Sequence, residues 1–104
     1  MMNIVAITAC PSGVAHTYMA AESLEQAAIA RSWTIKVETQ GALGTENEIT
    51  SGDVQKADAV IITTDIELVG MDRFEGKAIV ETTVKKLVVN AAEILDSACD
   101  VAVA

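Results

Sequence analysis

Two short segments of nearly unbroken apolar residues are the clearest pattern along the chain. They are residues 4–7, within the segment 3–9, and residues 59–62, within the segment 58–65, and each segment predicts a strand covered on both faces, as in the middle of a parallel sheet. A third segment, residues 34–39, alternates apolar with polar residues. This alternation predicts an edge strand whose polar face, with Lys36 and Glu38, is exposed to water.

Helical periodicity marks two longer segments. Apolar residues recur on one stripe in residues 17–31 and again in residues 83–98, which predicts two amphipathic helices. A short helix is expected at residues 53–57 and a brief fourth strand at residues 78–80, whereas residues 41–52 are expected to form a loop. Strands and helices therefore alternate along the chain.

This alternation predicts one α/β domain over residues 1–104, with a Rossmann-like open sheet of four parallel strands in a three-layer α/β/α sandwich. The two apolar strands belong in the middle of the sheet, which gives the strand order 2-1-3-4. The direction of winding then reverses between strands one and three. Ligands of open parallel sheets bind at such a switch point, beyond the carboxyl ends of the strands, and residues 10–17 lie there.

Charge and composition exclude several classes of function. The chain has 7 basic and 15 acidic residues and a net charge of −8, which argues against binding to nucleic acid or to an anionic membrane surface. No apolar run approaches the roughly 20 residues that span a bilayer, and the start lacks the basic region of a signal peptide, so a cytoplasmic location is expected. Cys10, Cys99 and the single histidine, His16, do not have the spacing of a metal site. Neither a metal nor another cofactor is expected.

Cys10 is the candidate nucleophile because it ends the first strand and directly precedes a turn and a helix. The N-terminus of a helix presents unpaired backbone N–H groups and a partial positive charge, which bind anions and favour the thiolate form of a cysteine. We therefore expect the thiolate of Cys10 to accept a phosphoryl group. We expect that group to be bound by the residues that follow: Pro11, Ser12, Gly13, Val14, Ala15, His16 and Thr17.

The sixth residue after Cys10 distinguishes a phosphatase, which hydrolyses a phosphocysteine, from a carrier, which transfers its phosphoryl group. The related loop of phosphatases has an arginine there, and this chain has His16. Because histidine lacks the fixed, always-charged fork of arginine, it favours a site that holds a phosphoryl group and passes it on. His16 either donates to the phosphoryl oxygens or caps the loop. A low-molecular-weight phosphatase-like hydrolase is the alternative function, and a small buried hydrophobic residue is the alternative role of Cys10.

Residues 10–22 read CPSGVAHTYMAAE. This segment resembles the phosphorylation signature of fructose-type enzyme IIB domains of the phosphoenolpyruvate-dependent sugar phosphotransferase system. The resemblance covers nearly the whole chain, with two small departures: Ser12 stands where threonine is common, and Trp33 stands where a turn residue is expected. Further matches lie at residues 37–41, 46–48, 59–62, 65–67, 73–74 and 76–77.

The resemblance implies a phosphoryl relay. In this relay Cys10 accepts the phosphoryl group from a phosphohistidine of the enzyme IIA component, and the phosphocysteine donates it to a sugar held by the membrane-embedded enzyme IIC component. Residues 11–17 would bind the phosphoryl group. The sugar is left open, because a fructose-like IIB component need not serve fructose. A regulatory domain that senses phosphorylation without serving a sugar is a further alternative, and a monomer is expected.

Seven further residues are expected at the rim of the site or in partner contacts: Tyr18, Met19, Gln40, Asp65, Leu68, Met71 and Arg73. The apolar residues among them form a docking patch for the partner proteins, or Leu68 and Val69 fold back into the core. Arg73 either approaches the phosphoryl group or the donor protein, or is a solvated loop charge. Gln40 either faces the phosphate or caps its strand, and Asp65 has a structural or partner-contact role.

Overall fold

A mixed five-stranded sheet organises the part of the chain that the computed structural model describes, residues 2–10, 14–41 and 44–103. The strand order is β3-β2-β1-β4-β5. The elements are, in chain order, β1 (Asn3–Thr8), α1 (Val14–Ala30), β2 (Thr34–Gly41), β3 (Gly44–Glu46), α2 (Ser51–Lys56), β4 (Ala59–Thr63), the 3₁₀ helix η1 (Met71–Phe74), β5 (Ile79–Thr82) and α3 (Val84–Val103).

The order of the four predicted strands is confirmed, and the all-parallel sheet of four strands is corrected. β1, β2, β4 and β5 pair in parallel in the expected order. The short strand β3 adds an antiparallel fifth strand beside β2, within the segment predicted as a loop, so β2 is not an edge strand. β3 has no apolar residue and is fully exposed, which leaves no hydrophobic alternation from which it could be predicted.

β1 lies at the centre of the sheet. Its residues pair with Thr34 to Thr39 of β2 on one side and with Ala59 to Ile62 of β4 on the other. Its apolar side chains, from Ile4 to Ile7, are all less than 4% exposed, because both faces of the sheet are covered. The carboxyl end of β1 is therefore held from both sides.

Each face of the sheet has its own apolar core. Helices α1 and α3 cover one face, where Leu24, Leu87 and Leu95 are completely buried. Residues of α2 and η1, together with Ile49, cover the opposite face, where Phe74 is 1% exposed. The structure is thus the expected α/β/α sandwich. Among the described residues, no helix is long and apolar enough to cross a membrane.

α1 and α3 run side by side and return the chain to the amino edge of the sheet. Arg31, just past the end of α1, donates to Asp96 of α3 at 2.9 and 3.2 Å and to the Ala92 carbonyl at 3.4 Å. Met2, which precedes β1, and Ala102, near the end of α3, both pack against the core on this face of the sheet. α3 is interrupted at Asn90, whose φ of −152° and ψ of 61° are not helical, and continues to Val103.

A buried ion pair joins β2 to η1. Glu38, predicted on a wet face, has a fully buried side chain, so that prediction was wrong. Arg73 Nη1 lies 2.7 Å from Glu38 Oε1, and Arg73 Nη2 lies 3.0 Å from Glu38 Oε2. Ile49 N–H and Gln40 Nε2 also donate to this carboxylate, at 2.8 and 2.7 Å. Burial by itself raises the pKa of Glu38, but the hydrogen bonds from Arg73, Gln40 and Ile49 outweigh it and lower the pKa.

The same network fixes the segment that precedes η1. The Gln40 amide accepts from Val69 N–H and donates to the Val69 carbonyl, both at 3.0 Å. Arg73 Nε donates to the Gly70 carbonyl at 2.6 Å. Gly70 has a φ of +75°, and a Cβ there would lie 2.9 Å from Arg73 Nε and Nη2, so the position requires glycine.

We expect Arg73→Met to destabilise the protein by about 3 kcal/mol at pH 7, because a buried carboxylate loses its charged partner. In the wild type the lowered pKa of Glu38 contributes stability above the ordinary value of 4.5 that is lost as the pH falls. In the variant the pKa of Glu38 is higher than in the wild type, because the lowering by Arg73 is lost, so the stability difference falls as Glu38 is protonated. The difference between the two proteins in urea unfolding should therefore shrink from pH 7 to pH 4.

Lys36→Met is the matched control, since Lys36 Nζ lies the same 2.7 Å from Asp53 Oδ2 but both side chains are 31% exposed. It should cost clearly less than Arg73→Met. Equal costs for the two variants would contradict the assignment of the effect to burial of Glu38.

Candidate functional site

Cys10 lies just beyond the carboxyl end of β1, between this central strand and the start of α1. It is half-buried and packs against the core that α1 and α3 form. This is the position that the sequence predicts for it. Residues 11–13 lie outside the described residues, as does the side chain of Val14, so their contacts with a phosphoryl group stay predictions.

Two buried threonine hydroxyls fix the backbone next to Cys10. Thr63 Oγ1 accepts from Ala9 N–H at 3.1 Å and donates to the Ala9 carbonyl at 3.3 Å. Thr8 Oγ1 donates to the Thr17 carbonyl at 3.1 Å, which ties β1 to the first turns of α1. Sequence reasoning missed both residues. Each is the last residue of a central strand, and that position beside the switch point is the signal that could have found them.

Cys10 lines a cavity of about 400 Å³ at the carboxyl edge of the sheet. Two predicted residues of α1, His16 and Met19, line it as well, and so does Asp65, which follows β4. The remaining wall is the start of α3, which the sequence analysis did not assign to the site. It contributes Val84, Lys85, Val88 and Val89.

Asp65 caps the helix that forms this wall. Its Oδ1 accepts from Val84 N–H at 2.9 Å, and Thr83 Oγ1 accepts from Lys86 N–H at 3.2 Å. Both acceptors satisfy N–H groups that the first turn of a helix leaves unpaired. These contacts give Asp65 a structural role, one of the two alternatives expected for it.

Thr17 provides a buried hydroxyl in the first turns of α1. The residue is 2% exposed, and its Oγ1 has no hydrogen-bond partner in the part of the chain that the structure describes. A buried hydroxyl without a partner is rare in folded proteins, and a catalytic role or a bound water or ion is among the explanations for one. The neighbouring Ala15 and His16 are exposed, and no acidic residue lies in the first turn of α1.

Four of the predicted rim residues lie on the opposite face of the sheet from the Cys10 cavity. Arg73 pairs with Glu38 and is neither a solvated charge nor a lining residue of this cavity. Gln40 bonds Glu38 and Val69. Leu68 and Met71 pack partly buried against the core under η1 and line a separate cavity of about 540 Å³.

The predicted apolar docking patch is therefore divided. Met19 is 48% exposed and lines the Cys10 cavity, whereas Val69 is 66% exposed beside η1. Tyr18 donates its hydroxyl to Glu46 of β3, and this hydrogen bond raises the pKa of Tyr18. Leu68 folds towards the core, as one alternative expected, and Val69 does not.

Cys99 lies near the end of α3, whereas the start of the same helix lines the Cys10 cavity. Both cysteines are free thiols. The length of α3 therefore separates Cys99 from the Cys10 cavity.

Comparison with known proteins assigns the chain to a family. A family profile described as the lactose/cellobiose-specific IIB subunit of the phosphotransferase system (PTS) matches residues 5–97. The chain belongs to the PTS IIB family. Members of this family are transferases of sugar transport, and the resemblance to fructose-type IIB domains is confirmed by the relatives.

The relatives of this IIB protein carry fructose-type names. It is 56% identical over 95 residues to the PTS fructose-like EIIB component 2 of Escherichia coli K12, covering 91% of this chain and 90% of the relative. A crystal structure described as a predicted fructose-specific IIB from Escherichia coli has a TM-score of 0.93 and 43% identity, covering 100% of this chain and 92% of that one. The fructose-specific EIIB'BC component of Rhodobacter capsulatus is 46% identical over 93% of this chain, which spans 17% of that relative.

We expect Thr63→Val to destabilise the IIB protein by about 1–2 kcal/mol, because the variant leaves the buried N–H and carbonyl of Ala9 without partners. Hydrogen exchange of the Ala9 amide should accelerate in the same variant. Thr63→Ser keeps the hydroxyl and is the matched control. If Ala9 exchanges equally fast in the wild type and in Thr63→Val, the hydroxyl does not fix the backbone beside Cys10.

Proposed function

We propose that this protein is the phosphoryl carrier of a fructose-type PTS. Cys10 accepts a phosphoryl group from a phosphohistidine of the IIA component and transfers it to a fructose-like sugar bound by the membrane IIC component. The observation that supports this most strongly is the placement of Cys10. The thiol lies at the switch point of the sheet, lines an open cavity, and is four residues before the start of α1.

The first transfer exchanges one bond to phosphorus for another. The thiolate Sγ of Cys10 attacks phosphorus, the S–P bond forms, and the P–N bond to the donor histidine breaks. The electron pair of the P–N bond stays on the imidazole, which leaves as a neutral ring when its other nitrogen is protonated. In the second transfer a sugar hydroxyl oxygen attacks phosphorus, the thiolate of Cys10 leaves, and the hydroxyl proton passes to solvent.

The start of α1 is proposed to bind the phosphoryl group. Backbone N–H groups at a helix N-terminus bind anions without a basic side chain, which suits a chain with a net charge of −8. The absence of acidic residues from the first turn of α1 and the buried hydroxyl of Thr17 support this role. The full proposed set is Pro11, Ser12, Gly13, Val14, Ala15, His16 and Thr17.

The partners are inferred from the family. The Rhodobacter capsulatus relative is named as a fused EIIB'BC component, which supports a functional pairing of IIB with a membrane IIC component. The IIA component is proposed as the donor because a IIB protein needs a source of phosphoryl groups. We further propose that residues 1–104 form one carrier domain that acts on the cytoplasmic side of the membrane.

The positions of the two arginines argue against a phosphatase. A cysteine phosphatase needs a guanidinium beside its thiolate to stabilise the transition state. Arg73 is bound to Glu38 on the opposite face of the sheet. Arg31 lies just past the end of α1 and is bound to Asp96 of α3. These contacts favour a carrier over a hydrolase.

Incubation with a phosphorylated fructose-type IIA protein should add the mass of one HPO₃ group to the wild type and to Cys99→Ser, but none to Cys10→Ser. Intact-mass spectrometry measures the gain, and excess unphosphorylated IIA should reverse it. Addition of IIC membranes and sugar should yield sugar phosphate, whereas a purely regulatory domain would yield none. Failure of several IIA donors to phosphorylate the wild type would contradict the relay.

A further inference from the structure

Most basic residues of this acidic chain are already engaged. Arg31 and Arg73 pair with carboxylates, and so does Lys36. Lys77 Nζ donates to the Ala57 carbonyl at 3.0 Å. Lys56 has no carboxylate partner among the described residues, but it lies in the last turn of α2, where the helix dipole favours a positive charge.

Lys85 and Lys86 are the exceptions to this pattern. Within residues 2–10, 14–41 and 44–103, no carboxylate pairs with either of them, and both are exposed. They occupy the first turn of α3, where the partial positive charge of the helix N-terminus disfavours cations. Both unpaired lysines therefore lower the stability of the first turn of α3.

The cavities distinguish the two lysines. Lys85 lines the Cys10 cavity of about 400 Å³, together with His16 from α1 and Asp65 from the segment after β4. Lys86 does not line that cavity and lies instead along a neighbouring cavity of about 480 Å³, which Lys85 also lines. Of the two lysines, Lys85 alone therefore lines the same cavity as the Cys10 thiol.

We propose that Lys85 is a catalytic residue of the phosphoryl transfer, whose ammonium group contacts the non-bridging oxygens of the phosphoryl group on Cys10. This inference rests on the proposed function. A phosphoryl group bears nearly two negative charges at neutral pH, and it enters a protein whose overall charge repels it. Preorganised positive charge at that point stabilises the transferring group, which is the usual electrostatic contribution to such catalysis.

The neighbouring charged group leaves Lys85 free for this contact. Asp65 is the carboxylate of the Cys10 cavity, and its Oδ1 is bound to Val84 N–H rather than to Lys85. A lysine is a mobile point charge on a flexible stem and does not grip phosphate with a rigid fork, as arginine does. Such a group can stabilise the phosphocysteine and still release the phosphoryl group to the next acceptor.

The test compares Lys85→Gln with Lys86→Gln, which remove the same charge from adjacent residues of one helix turn. Lys85→Gln should lower the rate of transfer from phosphorylated IIA to Cys10 by about fivefold or more, and Lys86→Gln by less than about twofold. Lys85→Arg should restore most of the rate. Both glutamine variants should melt at the wild-type temperature or slightly above it, since each removes a cation from a helix N-terminus.

A second readout separates contact with phosphate from binding of the partner. In ³¹P NMR titrations of the phosphoprotein, Lys85→Gln should move the phosphoryl ionisation upward by about half a pH unit, because the dianion loses a nearby cation. Lys86→Gln should leave it in place. Equal effects of the two variants, or a slower transfer in Lys85→Gln with an unchanged titration, would overturn the assignment of Lys85. Failure of the wild type to become phosphorylated would instead overturn the proposed function.

Discussion

The parallel pairing of β1 with a neighbour on each side is the constraint on which the rest of the structure depends. β2 and β4 both hydrogen-bond to β1, and the chain winds in opposite directions from it. Since the crossover helices then leave a gap at the carboxyl end of β1, a residue shortly after this strand is partly accessible at a point where the backbone is otherwise rigid. Cys10 occupies that position, and the hydroxyls of Thr8 and Thr63 extend the order of the sheet as far as its neighbour Ala9.

The two faces of the sheet differ in how their charged side chains are paired. The face under α2 and η1 contains the Glu38–Arg73 pair, in which Arg73 neutralises a fully buried carboxylate and is itself engaged. The face under α1 and α3 leaves a cavity beside Cys10 with a lysine that no carboxylate neutralises among the described residues. In this acidic protein the N-terminus of α1 and Lys85 therefore supply local positive potential at the place where we propose that the phosphoryl group binds.

The sequence alone predicted those features of the fold that depend on continuous patterns of apolar residues. The apolar runs predicted the two central strands, and the switch-point rule then placed Cys10 before its surroundings were known. β3 could not be predicted because Gly44, Thr45 and Glu46 are all exposed and leave no alternation. Glu38 was misplaced because a buried carboxylate looks like a solvated one until its partner, 35 residues away, is known.

The wall of the cavity formed by α3 was missed for a similar reason. The periodicity of α3 indicates which of its faces is buried, but not that its first turn meets the start of α1 beside Cys10. That meeting depends on the tertiary arrangement of two helices separated by more than fifty residues. The same limit applies to Asp65, whose position after β4 was clear while its role as the cap of α3 was not.

The return path of α3 has a consequence for how such a module is built into larger proteins. β1 starts at the amino edge of the sheet, and α3 returns to the same edge, where Asp96 bonds Arg31 just past the end of α1. Met2 and Ala102 pack against the same core. Polypeptide joined to either end would thus emerge on the side of the domain away from Cys10. The thiol can then face an exchange partner in the same way in a free-standing protein and in a fused chain such as the Rhodobacter capsulatus relative. The joining polypeptide in a fused chain raises the local concentration of the domain near its partner and does not block access to the thiol.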